Sequence, residues 1–182
     1  RGDAEGAARA LRQALELLPL DDVRGITGMR QQVADLYQKA GQLGEAQAFY
    51  ELVVAEDPER VSALLPLSAL YAAAGEWERA AEVLGRLSAL FEAPERRADL
   101  LYRQGEVLLL HLRDTERASA AYLKAIDLLP THVPTILRLI DYYWEEASWS
   151  DVAELGADLD HLGALAGTPG SPIAASGEAA RR

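Results

Sequence analysis

The amino-acid sequence predicts an all-α fold assembled from repeated antiparallel helix hairpins, and three observations carry that expectation. Ala and Leu together supply 63 of the 182 residues, whereas Val and Ile supply 14. Helices favour the first pair and strands favour β-branched residues. Four segments then open on a turn, place a small residue some five positions on, and run as an amphipathic stretch to a proline: 2–19, 41–58, 75–94 and 112–130. A further helical stretch precedes each of the last three, as in QQVADLYQKAG, LLPLSALYAAAG and LLYRQGEVLLLHL. Two antiparallel helices of about 12–15 residues with tight turns occupy roughly 34 residues, close to the spacing found here.

Taken in order, residues 1–20 read as the second helix of a leading partial repeat. Repeats follow at 21–60, 61–97, 98–131 and 132–162, and 163–182 reads as a flexible tail or linker. Gly, Pro, Ala and Ser make up most of that tail, leaving little apolar face to bury. Gly41 and Gly75 sit where a first helix must end in a left-handed residue, and Ala147 takes that place in the fourth repeat. Pro19, Pro58, Pro94 and Pro130 are placed to stop the second helices. Ala7, Ala46, Ala80, Ala118 and Val152 mark the points of close helix approach. Tyr37, Tyr71 and Tyr143 stand at one fixed distance ahead of three of them as core side chains. Gly2-Asp3 fits the turn before a helix better than an adhesion tripeptide.

The landmark spacings alternate long and short, so the working period is a pair of repeats. Ala46 and Ala118, Ala80 and Val152, and Trp77 and Trp149 are all separated by the same double step. The added residues (LDDVRGITG after Pro19, PERRADL after Leu90) are expected to lengthen the connection into every second repeat. Both tryptophans are expected to pack in the inter-helix turns.

Composition narrows the chemistry. The absence of cysteine excludes a disulfide framework, a thiolate zinc site and a thiol nucleophile. A formal charge of −11 argues against a nucleic-acid partner, whose phosphates would be repelled. Apolar runs such as Val107 to Leu110 fall far short of the ~18 residues that a membrane span needs. His111, His132 and His161 stand alone, and no phosphate loop, nucleophile elbow or H-E-x-x-H is present, so neither catalysis, metal nor cofactor is expected. The chain opens Arg1-Gly2-Asp3 with no initiator methionine and is expected to be a section of a longer array. The cytoplasm is the expected compartment, with the periplasm left open, since any targeting signal would lie outside this section.

The pattern resembles the tetratricopeptide-repeat family, whose consensus reads W-x2-L-G-x2-Y…A-x3-F…P. One unit carries Val33-Ala34, Tyr37, Gly41, Ala46, Tyr50 and Pro58; the next carries Leu67-Ser68, Tyr71, Gly75, Ala80 and Leu84. The third has Leu101, Gly105, Leu108, Ala118, Tyr122, Ala125 and Pro130, with one extra residue between Gly105 and Ala118. The fourth has Ile136, Leu139, Tyr143, Trp149 and Val152, with Val and Ile where small residues are usual.

The resemblance implies a right-handed α-solenoid whose concave groove is lined by the first helix of each repeat. It places Gln31, Asp35, Leu65, Tyr102, Glu106, Leu109, Leu137, Asp141 and Trp144 at groove positions, beside Gln38, Lys39, Ala69, Ala72, Ala73, Asp99, Leu110 and Glu145. This lining is apolar and aromatic, with five carboxylates to one lysine. It implies a non-enzymatic protein-interaction scaffold for a peptide or protein with basic and apolar side chains. The Lys/Asn clamp that some members use for a C-terminal carboxylate is missing, since Gln31, Asp35 and Ala69 stand there. The alternatives are a structural spacer or oligomerisation element, or a regulatory segment of a larger multidomain protein.

Overall fold

The computed structural model describes residues 2–17, 23–145 and 148–166. Among the described residues there are nine helices and no strand: α1 (Gly2–Leu15), α2 (Val23–Ala40), α3 (Leu43–Glu56), α4 (Val61–Ala74), α5 (Trp77–Leu90), α6 (Pro94–Leu110), α7 (Thr115–Leu128), α8 (Val133–Glu145) and α9 (Trp149–Ala166). They fall into two units, Arg1–Phe91 and Glu92–Arg182. In the first, α1 packs on α2, α2 on α3, α3 on α4 and α4 on α5; in the second, α6 packs on α7, α7 on α8 and α8 on α9. Within each unit every helix therefore meets its neighbours in sequence, the arrangement of a helical-repeat stack.

The turns that close the hairpins follow from backbone stereochemistry. Gly41 (φ +82°) and Gly75 (φ +77°) are left-handed, and the next residues, Gln42 and Glu76, return their N–H groups to the carbonyls of Tyr37 (2.9 Å) and Tyr71 (2.8 Å). Glycine suffers no Cβ penalty there and the orphan carbonyls are satisfied. The N–H of Ser148 makes the same bond to Tyr143 O (2.9 Å), while Ala147 lies outside the described residues. In the α6–α7 turn the extra residue shifts the return bond to Asp114 N–H and Leu108 O (3.0 Å), and the left-handed place falls to Arg113 (φ +56°). Asp114 compensates in part, accepting from Arg117 N–H (2.9 Å) as the N-cap of α7.

Four expectations are corrected. Pro94 does not stop a helix. α5 ends at Leu90, Phe91 is extended, and Pro94 is the first residue of α6, where its missing N–H costs nothing. The residues expected to lengthen connections instead lengthen helices. PERRADL is the opening of α6, and much of LDDVRGITG lies in α2, so α2 and α6 have 18 and 17 residues against 14 and 13 for α4 and α8. The alternation between successive repeats is thus one of helix length. In α1 the buried landmark is Ala8, fully enclosed, and Ala7 is exposed, which puts Ala8 a full double step before Ala80. Gly2-Asp3 begins α1 and does not form a turn ahead of it. In addition, α9 runs to Ala166, past the expected start of the tail. The rest of the tail and the side chain of Trp149 lie outside the described residues.

Small residues at the landmarks hold the cores tight. Ala46, Ala80 and Ala118 are buried, as are Tyr37, Tyr50, Tyr71 and Tyr122. At Gly105 no side chain fits at all, because a Cβ would stand 2.7 Å from Cδ1 and Cζ of Tyr122 and closer still to Cε1. The equivalent place in the first unit is Ala34, also fully buried.

Gly105→Ala should therefore lose about 1–3 kcal/mol to overpacking despite alanine's better helix propensity. Thermal melting followed by circular dichroism reads this, and an unchanged or raised Tm would contradict the packing. Arg113→Gly should instead raise stability by about 0.5–1 kcal/mol through relief of the left-handed backbone.

Candidate functional site

In the first unit, Gln31, Asp35 and Gln38 share one face of α2, spaced by one helical turn. Tyr50 reaches this face from α3, its ring buried and its hydroxyl donating to Asp35 Oδ1 at 2.7 Å, with Gln38 Oε1 2.9 Å away. Gln31 Nε2 donates to Asp35 Oδ1 and to the Ser62 carbonyl on α4, both at 3.2 Å, while its Oε1 is buried with no protein partner. Burial first, then the hydrogen bond and charge of Asp35, hold the Tyr50 phenol above its ordinary pKa. Leu65, on α4, is 42% exposed.

In the second unit the same plan recurs with a cation added. Tyr122 of α7 donates to Glu106 Oε1 of α6 at 2.7 Å. Arg138 of α8 forks onto the same carboxylate, Nε to Oε1 and Nη2 to Oε2, each 2.8 Å. Burial pushes the Glu106 carboxyl up, but the hydrogen bonds from Arg138 and Tyr122 outweigh it and keep the carboxyl below its ordinary range. Bidentate charge-assisted bonds of this kind tie one hairpin to the next. The Tyr102 ring lies 6.0 Å from that of Tyr122 and, edge-on, 5.8 Å from His132. His132, the residue before α8, has Nδ1 2.6 Å from Oγ1 of the fully buried Thr135.

Beside this network lies an open hollow of about 520 Å³ between the end of α6, α7 and α8. Leu109, Leu110, Ala118, Tyr142 and Trp144 give it an apolar lining, and Arg113, Arg138 and Asp141 supply its charges. Among the residues expected in a groove, Leu109, Leu110, Asp141 and Trp144 meet here. Glu106 and Tyr102 stand in the adjoining network, and Leu137 is half exposed on α8. Gln31, Asp35 and Leu65 belong to the other unit, and the side chain of Glu145 lies outside the described residues. Two partners escape a reading of the sequence. Tyr122 is marked there only as a core landmark, although Tyr50 stands one double step earlier and each has a carboxylate facing it. Arg138 falls between the groove positions and gives no signal.

Among the described residues no group of three His, Asp or Glu side chains could hold a metal ion, and no helix is long and apolar enough to cross a membrane.

Two titrating groups of the second unit make it acid-sensitive. Burial lowers the His132 pKa, against a smaller opposing pull from Asp99, so the unfolded chain protonates first and stability falls once the pH drops below about 6.5. The lowered Glu106 value adds a loss at more acid pH, below about 4.3, where the unfolded carboxyl begins to protonate. His132→Asn should flatten the Tm between pH 7 and 5.5; an undiminished slope would assign it to other groups. Arg138→Ala should cost about 1–2 kcal/mol, reduced from the fully buried case because both partners are partly solvated.

Two tetratricopeptide-repeat family models match the sequence, one over residues 37–105 and the other over 98–132, together more than half of the chain. No curated protein sequence matches it significantly. Among solved structures, the crystal structure of MamA aligns with a TM-score of 0.59 at 20% identity, over 86% of each chain. A tetratricopeptide repeat protein from Parabacteroides merdae gives 0.60 at 18% identity, covering 88% of this chain and 61% of that one. BtubC (BKLC) from P. vanneervenii gives 0.57 at 20%, covering 94% of this chain and 78% of its own. At such identities the likeness speaks for the fold, an all-α helical-repeat solenoid. Hairpin closure at left-handed glycines, small residues at the helix crossings and both family models agree: the chain belongs to the tetratricopeptide-repeat family.

Proposed function

We propose that the chain is a non-enzymatic protein–protein interaction scaffold, acting in the cytoplasm, which presents its first helices to a peptide or protein partner. The observation that carries this reading is where large apolar side chains remain exposed. Of the large apolar side chains that remain exposed, Leu65 in the first unit and Leu110, Leu137 and Trp144 in the second, 42–60% exposed, stand at positions that the family resemblance assigns to a groove, while Val23, Leu43, Leu52, Leu123 and Val133 do not. Exposed apolar side chains gathered on one surface, as Leu110 and Trp144 are around the hollow, mark contact sites more often than scattered ones do. The polar groups beside them support the same reading. Asp35 and Glu106 are committed to tyrosine hydroxyls, and Glu106 also to Arg138, so they shape the surface and are not poised for proton transfer. The tetratricopeptide-repeat models add that such arrays serve protein contacts in general.

A photo-crosslinking residue placed at Leu137 should capture partner proteins in cell lysate, whereas the same residue at Leu123, 43% exposed on the second helix α7, should not. Equal capture from both positions, or capture from Leu123 alone, would overturn the assignment of the binding face.

A further inference from the structure

The α6–α7 turn keeps a residue that its own backbone disfavours. Gly41 and Gly75 close the α2–α3 and α4–α5 hairpins at φ +82° and +77°, whereas Arg113 holds the left-handed place here at φ +56°. A residue with a Cβ loses stability in that conformation, and glycine does not. Backbone strain of this kind persists at sites where the side chain has a use. Arg113 lines the hollow of about 520 Å³ between the end of α6, α7 and α8. Among the described residues its guanidinium has no hydrogen-bond or ion-pair partner.

The neighbouring charges, by contrast, have partners. Arg138 is held by Glu106 through two 2.8 Å bonds, and its remaining nitrogen, Nη1, stands 3.9 Å from Asp141. Asp141 is 71% exposed, so water screens its charge. Asp114, next in sequence to Arg113, accepts from the backbone N–H and the side chain of Arg117 at 2.9 and 2.6 Å. The guanidinium of Arg113 is therefore the cation left over among these groups. It borders a wall that includes Leu109, Tyr142 and the 60% exposed Trp144, and Thr115 adds a hydroxyl to the same lining.

From these observations we propose that the hollow is a small-molecule site for an aromatic monocarboxylate, its ring against Trp144 and Tyr142 and its carboxylate on Arg113. The guanidinium fork matches a carboxylate through two parallel N–H···O bonds. Aromatic walls favour an aromatic ligand through offset and edge-on ring contacts. A recess that sets apolar and aromatic walls beside a few polar groups is the common form of a small-ligand pocket, and this volume lies within the usual ~300–1,000 Å³. A single negative charge is favoured over the two of a phosphate monoester, because Asp141 borders the hollow and the chain as a whole carries −11. Such a ligand does not need the protein partner proposed above, so either reading can fail while the other stands.

Isothermal titration of the full chain with phenylpropionate, phenylpropionamide and phenylpropylammonium tests this, since the three share a ring and a linker and differ in charge. The carboxylate should bind about fivefold more tightly than the amide, and the ammonium compound no better than the amide. Arg113→Gly relaxes the turn and so keeps the fold, and it should cut the carboxylate's advantage below about twofold. Trp144→Ala, at an exposed position, should weaken carboxylate and amide alike by at least about threefold. Circular dichroism of both variants checks that their helices are intact. No binding of phenylpropionate at ~10 mM overturns the proposal. So does an amide or ammonium compound that binds as tightly as the carboxylate, or an advantage that survives Arg113→Gly. Binding unmoved by Trp144→Ala also overturns it, by placing the ligand outside the hollow.

Discussion

The close approach of paired helices is the constraint on which the rest of the molecule depends. In the second unit α6 meets α7 with no room for a methyl group between the Gly105 backbone and the Tyr122 ring. That contact decides more than the core. A tyrosine pressed against its partner helix projects its hydroxyl past the crossing point, where the residue after Gly105, Glu106, receives it. Asp35 and Tyr50 repeat the arrangement in the first unit. In the second unit packing and surface chemistry are consequently one decision, because any residue larger than Gly105 would press on the Tyr122 ring whose hydroxyl fixes the carboxylate.

This coupling explains which parts could be read in advance. Turn glycines, landmark alanines and core tyrosines act through local stereochemistry and volume, and Gly41, Gly75, Ala46, Ala80 and Ala118 stand where their spacing put them. Pro94 misleads because proline's fixed φ suits the residue after a helix and the first residue within one equally well. Ala7 and Ala8 are adjacent and equally small, so residue type does not separate them, and only the double step to Ala80 singles out Ala8. Arg113 in a left-handed turn has no compositional signature. At the site, position along the first helices placed the candidates on a face. It was silent on whether Glu106 would be free or committed, since that depends on Tyr122 and Arg138, side chains of two later helices.

The alternation of long and short first helices changes how the module is understood. An 18-residue helix followed by a 14-residue one, then 17 and 13, places an added helical turn at the opening of each module. Helix consumes those residues with its backbone bonds satisfied, where a loop of the same length would have to find partners or water. The long helix also meets its second helix over more of its length, and Thr27, just past the added turn of α2, hydrogen-bonds Glu56 at the far end of α3.

Packing restricted to sequence neighbours also governs how the chain reaches its structure. Within each unit every helix closes against one only a few residues away, so little chain entropy is spent in bringing partners together. Such low contact order favours rapid assembly that begins wherever a hairpin first forms. An emerging polypeptide could secure α2 against α3 before the second module has been synthesised, and a hairpin that opens transiently need not take its more distant neighbours with it.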